Sequence, residues 1–361
     1  MNDLFSLLVP ALPVFLVLVL ANLADRPVPD RSAQKRILGR WVVGLLAGVY
    51  ALMILAGGGL QVGFTRLGQG IAPAWLPPDM GLVQAIRAGE VASPSMVAAA
   101  LWLSGLFGLL LLLPRVSRDA ARLLPLDSTR WVHRVALALL PLVLANMMLT
   151  LGVGLGNVGD LMAGGDGSGG QLGLDTFVSL WGQQWLWVLA AFIGVGWLTR
   201  RDWDATLRRL GLTRPSAQGI LVAVGLSLTA VFGVIVLQGV GVLLGFGPDP
   251  EVAQLSEQLI GPLTQSLVGI LTLGLAAALG EETLLRGAIQ PRFGLVATAM
   301  IFALMHSNYG ITFSTLVVFL LGLLLGWVRQ HYNTVTSMIV HALYNMSLGM
   351  LAYLAARLVG G

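Results

Sequence analysis

The sequence predicts an all-α, polytopic transmembrane helix bundle of about ten spans. Hydrophobic residues make up 56% of the 361 residues and charged residues only 11%, well below the roughly one quarter found in soluble domains. The apolar residues fall into runs of about 18 to 25, each long enough to cross a hydrocarbon core of about 30 Å as a helix. The predicted spans are 4–22, 41–60, 95–114, 131–152, 177–199, 219–245, 266–285, 295–310, 312–328 and 335–357.

The first apolar run, "LFSLLVPALPVFLVLVLANLA", follows "MND" without a basic residue and is longer than the apolar core of most signal peptides. We therefore expect it to stay as a membrane anchor. The chain contains no cysteine, which excludes disulfides, thiolate nucleophiles and thiolate metal ligands.

The net charge of +4 and the pI of about 9.9 arise from basic loops and do not indicate a nucleic-acid partner. By the positive-inside rule these loops are cytoplasmic, which with ten spans places both termini outside. The alternating loops 61–94, 153–176 and 246–264 hold few Lys or Arg. The basic loops contain Arg26, Arg31, Lys35, Arg36 and Arg40; Arg115, Arg118, Arg122 and Arg130; and Arg200, Arg201, Arg208, Arg209 and Arg214.

Two regions are predicted, an N-terminal transmembrane region of unknown role over 1–210 and a C-terminal core over 216–357 that carries the catalytic spans. The stretch "RRDWDATLRRLGLTRPSAQ" marks the boundary and reads as a short amphipathic helix at the interface. Pro215 is expected to end it. The Gly- and Asp-rich loop 153–176 is expected to be a flexible external connection. His133 and His331 each lie near Arg at a span end and are interpreted as interfacial.

The first polar motif inside an apolar span is "EETLLR". Charged side chains at bilayer depth cost at least ~2.5 kcal/mol each, so they are usually paired or face a wet cavity. Glu282 and Arg286 are four residues apart with the acid first, the favourable order for an ion pair on one helix face. Glu281 is rotated by about 100° from Glu282 and is left without that partner.

Two further motifs, "FALMH" and "HALYN", follow in the last spans. Helical spacing places Phe302 and His306 on one face of their helix, and His341 and Asn345 on one face of the last helix. Because burying these polar faces toward one another is the least costly arrangement in lipid, the three motifs are expected to share one site.

A carboxylate, two imidazoles and a carboxamide are groups that can hydrolyse an amide bond. The glutamate can take a proton from water, a histidine can orient that water, and His plus Asn can donate hydrogen bonds to the oxyanion. The alternative is a divalent metal such as Zn²⁺, held by Glu281, His306 and His341, that activates the water. The residues alone do not separate the two mechanisms.

The three motifs, in this order, resemble EExxxR, FxxxH and HxxxN/D of the CAAX protease and bacteriocin-processing family of intramembrane endopeptidases, also called the Abi family. The flanks "RGAIQPRFG" and "LGLLLGWVRQHYNTVTSMIVHALYN" are similar to the family's sequences. The resemblance covers about 216–357 and does not extend to the first 200 residues.

The resemblance implies a role for each motif residue. Glu281 would be the general base that activates water, with His306 helping to bind the water, and Glu282 would support the site by hydrogen bonding. His341 and Asn345 would stabilise the oxyanion. Arg286 and Phe302 would give structural support.

The implied substrate is a membrane-associated or prenylated, CAAX-like protein or peptide, cleaved by a multi-pass protein of the bacterial cytoplasmic membrane. Two alternatives remain: a non-catalytic membrane scaffold or immunity protein of the same fold, and a proton-coupled transporter. A scaffold is expected to lose Glu281 or a motif histidine, and all are present. A transporter is expected to contain an internal repeat, and the first half holds no second copy of the motifs.

Overall fold

The computed structural model describes residues 2–27, 32–69, 71, 75, 81–162 and 174–359, and no β-strand occurs within these ranges. The helices of the first half are α1 Asn2–Ala24, α2 Ser32–Gly68, α3 Gly81–Ala88, α4 Pro94–Leu112, α5 Pro114–Leu123, α6 Trp131–Ala138, α7 Leu140–Val153, α8 Leu155–Met162 and α9 Leu174–Val195. Those of the second half are α10 Trp203–Leu210, α11 Ala217–Leu243, α12 Pro250–Thr264, α13 Leu267–Glu281, α14 Gln290–Met305, α15 Phe313–His331 and α16 Thr334–Val359. A π-helical segment, Glu282–Ile289, continues α13 into α14, and a 3-10 turn, Ser307–Tyr309, follows α14.

The predicted all-α membrane bundle is confirmed. Eight helical runs of the described residues are long and apolar enough to cross a membrane, and the protein is a multi-pass membrane protein. The shorter apolar helix Ala11–Ala24 lies within α1. The eight runs are Ala33–Gly68, Pro94–Leu112, Trp131–Val153, Thr176–Val195, Ala217–Leu243, Leu267–Met305, Phe313–His331 and Thr334–Leu358.

The run Leu267–Met305 has 39 residues and folds back on itself as a hairpin. Gly294 has φ 77° and ψ 174°, a backbone conformation essentially restricted to glycine. On either side of it, Glu281 lies near His306 and Arg286 stacks on Phe302, so the two legs are antiparallel. With α1 and both legs counted, all ten predicted spans are present as helices. We call this element the α13–α14 hairpin.

Several predicted boundaries were wrong for identifiable reasons. α10 ends at Leu210, before Pro215, because Gly211 adopts the left-handed conformation (φ 70°) and caps it. The span 131–152 is divided at Leu139, after which α7 begins with Pro141 in its first turn. α14 ends at Met305 instead of 310. The loop 153–176 begins with a helix, α8, and its residues 163–173 lie outside the described ranges.

Small residues allow the C-terminal helices to approach closely. A Cβ on Gly322 would lie 3.2 Å from Ala299, and a Cβ on Gly326 would lie 2.4 Å from Leu295. α15 therefore packs directly on α14, as the Gly-x-x-x-Gly spacing predicts. α13 packs against α16, and α11 covers α16 from another side.

The N-terminal region contacts this core through α9. α9 packs on α1 at one side and on α13 and the π-helical segment at the other. A Cβ on Gly280 would lie only 2.0 Å from Gln184 Oε1 and 2.9 Å from the Gln184 Cα. The residue before Glu281 is thus in backbone contact with the N-terminal region.

Candidate active site

Glu281 lies at the C-terminal end of α13, where its side chain is 10% exposed. Its Oε2 atom is buried and has no hydrogen-bond partner within the described chain. His306 Nε2 lies 3.9 Å from this oxygen, which is too far for a direct hydrogen bond. As expected from the sequence, Glu281 has no ion-pair partner like that of Glu282, and its carboxylate faces His306 of the second motif.

His306 is the C-terminal cap of α14, and its side chain faces Glu281. Its Nδ1 atom lies 2.8 Å from the Phe302 carbonyl oxygen. Because a carbonyl only accepts hydrogen bonds, Nδ1 must carry the proton, and Nε2 of the neutral ring has a lone pair. Nε2 and the Glu281 carboxylate are then two acceptors that face each other and require a donor. The His306 side chain is 26% exposed, so a small donor can reach the pair.

Glu282 begins the π-helical segment and is fully buried. Its Oε1 accepts a hydrogen bond from His341 Nδ1 at 3.0 Å and lies 3.3 Å from Arg286 Nη1. The Arg286 contact has the separation of an ion pair without the angle of a hydrogen bond. Ser337 Oγ donates to Oε2 at 2.5 Å. The second carboxylate is therefore held by three groups and is unavailable for substrate.

Arg286 and Phe302 form the support beneath these groups. The fully buried guanidinium lies 4.4 Å from the centre of the Phe302 ring, an arrangement that favours a cation. Nη2 of Arg286 donates to the Gly322 carbonyl at 3.4 Å. The Phe302 ring also contacts His306 and His341, with ring centres 4.6 Å and 5.9 Å away. Phe302 thus separates the two histidines.

His341 and Asn345 lie one turn apart on α16, as predicted. His341 is 2% exposed, and its Nδ1–H points at the Glu282 carboxylate, which fixes the ring orientation. Asn345 is half-buried, and its carboxamide makes no hydrogen bond to the described residues. The amide is therefore free to bind a ligand beside His341.

The described residues contain no group of three or more His, Cys, Asp or Glu side chains placed to hold a metal ion. His341 directs Nδ1 to Glu282, whereas Glu281 faces His306 at 3.9 Å. In this geometry Glu281, His306 and His341 do not converge as a ligand set, so no chemical step is assigned to a metal.

Three residues that contact the site were not predicted from the sequence. Ser337 precedes His341 by four residues on α16, a spacing that places both on the face that contacts Glu282. The Tyr309 ring stacks against His306, with ring centres 6.1 Å apart. Gln184 is buried against Gly280, and its Oε1 has no partner among the described residues. Only Ser337 had a signal in the sequence, because the other two contacts depend on tertiary packing.

Comparison with protein families matches residues 263–347 to the type II CAAX prenyl endopeptidases, described as Rce1-like. The matched range contains all three motifs and confirms the resemblance of the C-terminal region to CAAX proteases. It supports, in general terms, an intramembrane endopeptidase within a multi-pass membrane protein. No curated protein matches the chain, and no solved structure matches it. Helices α1 to α11 lie outside the matched range.

Proposed function

We propose that the C-terminal spans form an intramembrane endopeptidase in which Glu281 and His306 activate a water molecule that cleaves a peptide bond. The observation that carries the proposal is the facing pair of acceptors, Glu281 Oε2 and His306 Nε2, 3.9 Å apart. One water can donate an O–H to each, and this orients its oxygen lone pairs away from both acceptors, toward a substrate carbonyl.

The reaction follows from this arrangement. Glu281 accepts a proton from the water as the water oxygen bonds to the carbonyl carbon. The carbonyl electrons move to oxygen and form a tetrahedral oxyanion. When this intermediate collapses, the C–N bond breaks, and the proton held by Glu281 passes to the leaving amine nitrogen. His306 holds the water in place and takes no net proton.

His341 and Asn345 provide the hydrogen-bond donors that an oxyanion needs. Since Nδ1–H of His341 is already directed at Glu282, Nε2 can donate only when the ring is the imidazolium. The buried Glu282 carboxylate accepts the Nδ1–H and holds the His341 ring in this orientation. The Asn345 amide supplies the other donor from one turn further along α16.

The substrate we propose is a membrane-associated or prenylated, CAAX-like protein or peptide in the bacterial cytoplasmic membrane. His341 is seven residues into α16, about 10 Å from the end of the helix. By the positive-inside rule that end is cytoplasmic. A scissile bond near the inner leaflet, close to a lipid anchor, matches this depth.

The test is mass spectrometry of lipidated and unlipidated membrane peptides incubated with purified protein. Wild type is expected to release products, and Glu281→Gln is expected to reduce the rate by about 10²- to 10⁴-fold, the usual contribution of a general base. Glu257→Gln, an exposed position on α12, is the matched control and should keep activity. Each reaction is run with and without a chelator.

The outcomes separate the alternatives. Products that depend on Glu281 and persist in chelator support the glutamate mechanism, whereas loss of products in chelator supports a metal such as Zn²⁺. The absence of any Glu281-dependent product would contradict the peptidase and favour a membrane scaffold or a proton-coupled transporter.

A further inference from the structure

A cavity of about 300 Å³ lies between the N-terminal helices and the outer side of the α13–α14 hairpin. One part of its wall is apolar and is formed by residues such as Leu18, Val143, Trp187 and Ile301. The other part is strongly basic. It consists of Arg130, Arg200, Arg201, Arg209, Arg292 and the buried His133.

Four of the five arginines of this cavity make no ion pair in the described chain. No Asp or Glu lines the described wall. The nearby Asp25 accepts the backbone N–H groups of Trp131 and Val132, at 2.9 Å and 3.1 Å, and so caps α6. Asp127 pairs with Arg130 at 3.2 Å. The basic part of the wall therefore carries an unbalanced positive charge.

Burial has not removed the charge of these arginines. Burial, followed by the neighbouring charge of Arg201, lowers the pKa of Arg200 to about 10. Burial, followed by Arg292, lowers the pKa of Arg209 to about 10. Both groups remain cations at neutral pH, and their mutual repulsion favours an anion among them.

Several guanidinium donors in the cavity are unused. Arg292 makes no hydrogen bond or ion pair within the described chain, and its Nε is buried. Arg200 uses only Nε, which donates to Asn22 Oδ1 at 2.7 Å. Arg209 instead donates to the carbonyls of Gly287 and Ala288, at 2.9 Å and 3.3 Å, and so is fastened to the π-helical segment.

We propose that this cavity binds an anionic amphiphile, with a phosphate headgroup among Arg200, Arg201 and Arg292 and an apolar chain along Leu18 and Trp187. A planar guanidinium group can bind two phosphate oxygens at once. The apolar wall can contact a hydrocarbon chain, which an inorganic ion lacks. Anionic phospholipids are abundant on the cytoplasmic side, where the basic loops are expected. The proposal does not depend on peptidase activity.

The bound headgroup would join two parts of the molecule. Arg292 belongs to the α13–α14 hairpin, whereas Arg200 and Arg201 follow α9 of the N-terminal region. A phosphate that contacts both sets replaces their repulsion with attraction. Binding should therefore raise the thermal unfolding midpoint as well as leave a lipid adduct.

The experiment is native mass spectrometry of delipidated protein with added phosphatidylglycerol, with phosphatidylcholine, or with inorganic phosphate, alongside thermal unfolding in detergent. The wild type is expected to retain phosphatidylglycerol in preference to phosphatidylcholine and to unfold at a higher temperature with it. Arg292→Gln should weaken binding by about tenfold or more, because it removes charge-assisted hydrogen bonds. Since Arg292 makes no bond in the described chain and repels the neighbouring arginines, the unliganded midpoint of this variant should equal or exceed that of the wild type.

Arg208→Gln is the matched control, because Arg208 is exposed on α10, next to Arg209, and does not line the cavity. It removes the same charge from the same end of the molecule and should bind as the wild type does. Equal retention of the two lipids, or equal losses in the Arg208 and Arg292 variants, would overturn the proposal. Saturation by inorganic phosphate without added lipid would also overturn it, since that outcome identifies a simple anion site.

Discussion

At the residue scale, Glu281 and Glu282 are adjacent and chemically identical, and their surroundings give them different tasks. The Oε2 of Glu281 has no partner in the described chain, whereas the oxygens of Glu282 contact Arg286, His341 and Ser337. One carboxylate is thus free to exchange a proton, and the other fixes the geometry of the groups around it. This division was predicted from the i,i+4 spacing of Glu282 and Arg286, which left Glu281 unpaired.

The two glutamates should therefore differ in their effect on stability. Glu282→Gln leaves the buried Arg286 without its counter-charge, a change that costs about 3–5 kcal/mol when one partner of a buried pair is removed. Glu281→Gln removes no hydrogen bond and should leave the unfolding free energy nearly unchanged. Thermal unfolding of both variants in the same detergent measures the difference. Equal midpoints would show that Glu282 does not stabilise the buried cation.

At the scale of elements, the sequence predicted the helices well because apolar length alone specifies a span. The sequence could not predict the hydrogen-bonding pattern within these helices. All of the motif "EETLLR" after Glu281 lies in a π-helical segment instead of the expected α-helix, and π-helices frequently occur at functional sites. The difference depends on which carbonyl each N–H contacts, and no residue pattern reports it. Glu282 and Arg286 still meet, because four residues are close to one turn in either helix.

The hairpin turn is the element on which the site depends most. Gly294 reverses the chain so that His306 returns to Glu281, and its φ of 77° excludes other residues without strain. Gly294→Ala should cost about 1–3 kcal/mol and displace His306, with a loss of peptidase activity. Steric crowding does not cause this loss of stability, since the nearest atom to an added Cβ is 3.9 Å away.

Gly225→Ala provides the comparison for this variant. Gly225 is exposed in the middle of α11, and an added Cβ would meet nothing within 4 Å. Because alanine is favoured over glycine in a helix, this variant should be as stable as the wild type or slightly more stable. Equal stability and activity of the two alanine variants would show that the turn conformation of Gly294 is not required.

At the scale of the whole molecule, the N-terminal region gains a structural role that its sequence did not indicate. α9 contacts Gly280 beside Glu281, the proposed general base, and residues of α1, α6, α7 and α9 enclose the basic cavity. His133, interpreted as interfacial, is buried in the wall of this cavity and accepts the backbone N–H of Asp127 at 3.0 Å. These contacts join residues far apart in the chain, so neither periodicity nor motif spacing could reveal them.

The structure also gathers arginines of two of the predicted cytoplasmic loops at one end of the bundle. Arg130 of one loop and Arg200, Arg201 and Arg209 of another line the same cavity, which requires both loops to be on one side of the membrane. The positive-inside rule makes that side cytoplasmic. The same rule places the acidic connection 246–264, which contains α12, on the external side.

This orientation can be tested directly, because the chain contains no cysteine and single cysteines can be introduced without background. Arg208 is exposed on α10 and Glu251 is exposed on α12, so the variants Arg208→Cys and Glu251→Cys report on the two sides. A membrane-impermeant maleimide should label Glu251→Cys in intact spheroplasts and Arg208→Cys only after permeabilisation. Labelling of both in permeabilised samples controls for accessibility. The reverse pattern would place the basic cavity outside, where the anionic lipids of the cytoplasmic leaflet cannot reach it. It would also move the proposed scissile bond to the outer half of the membrane.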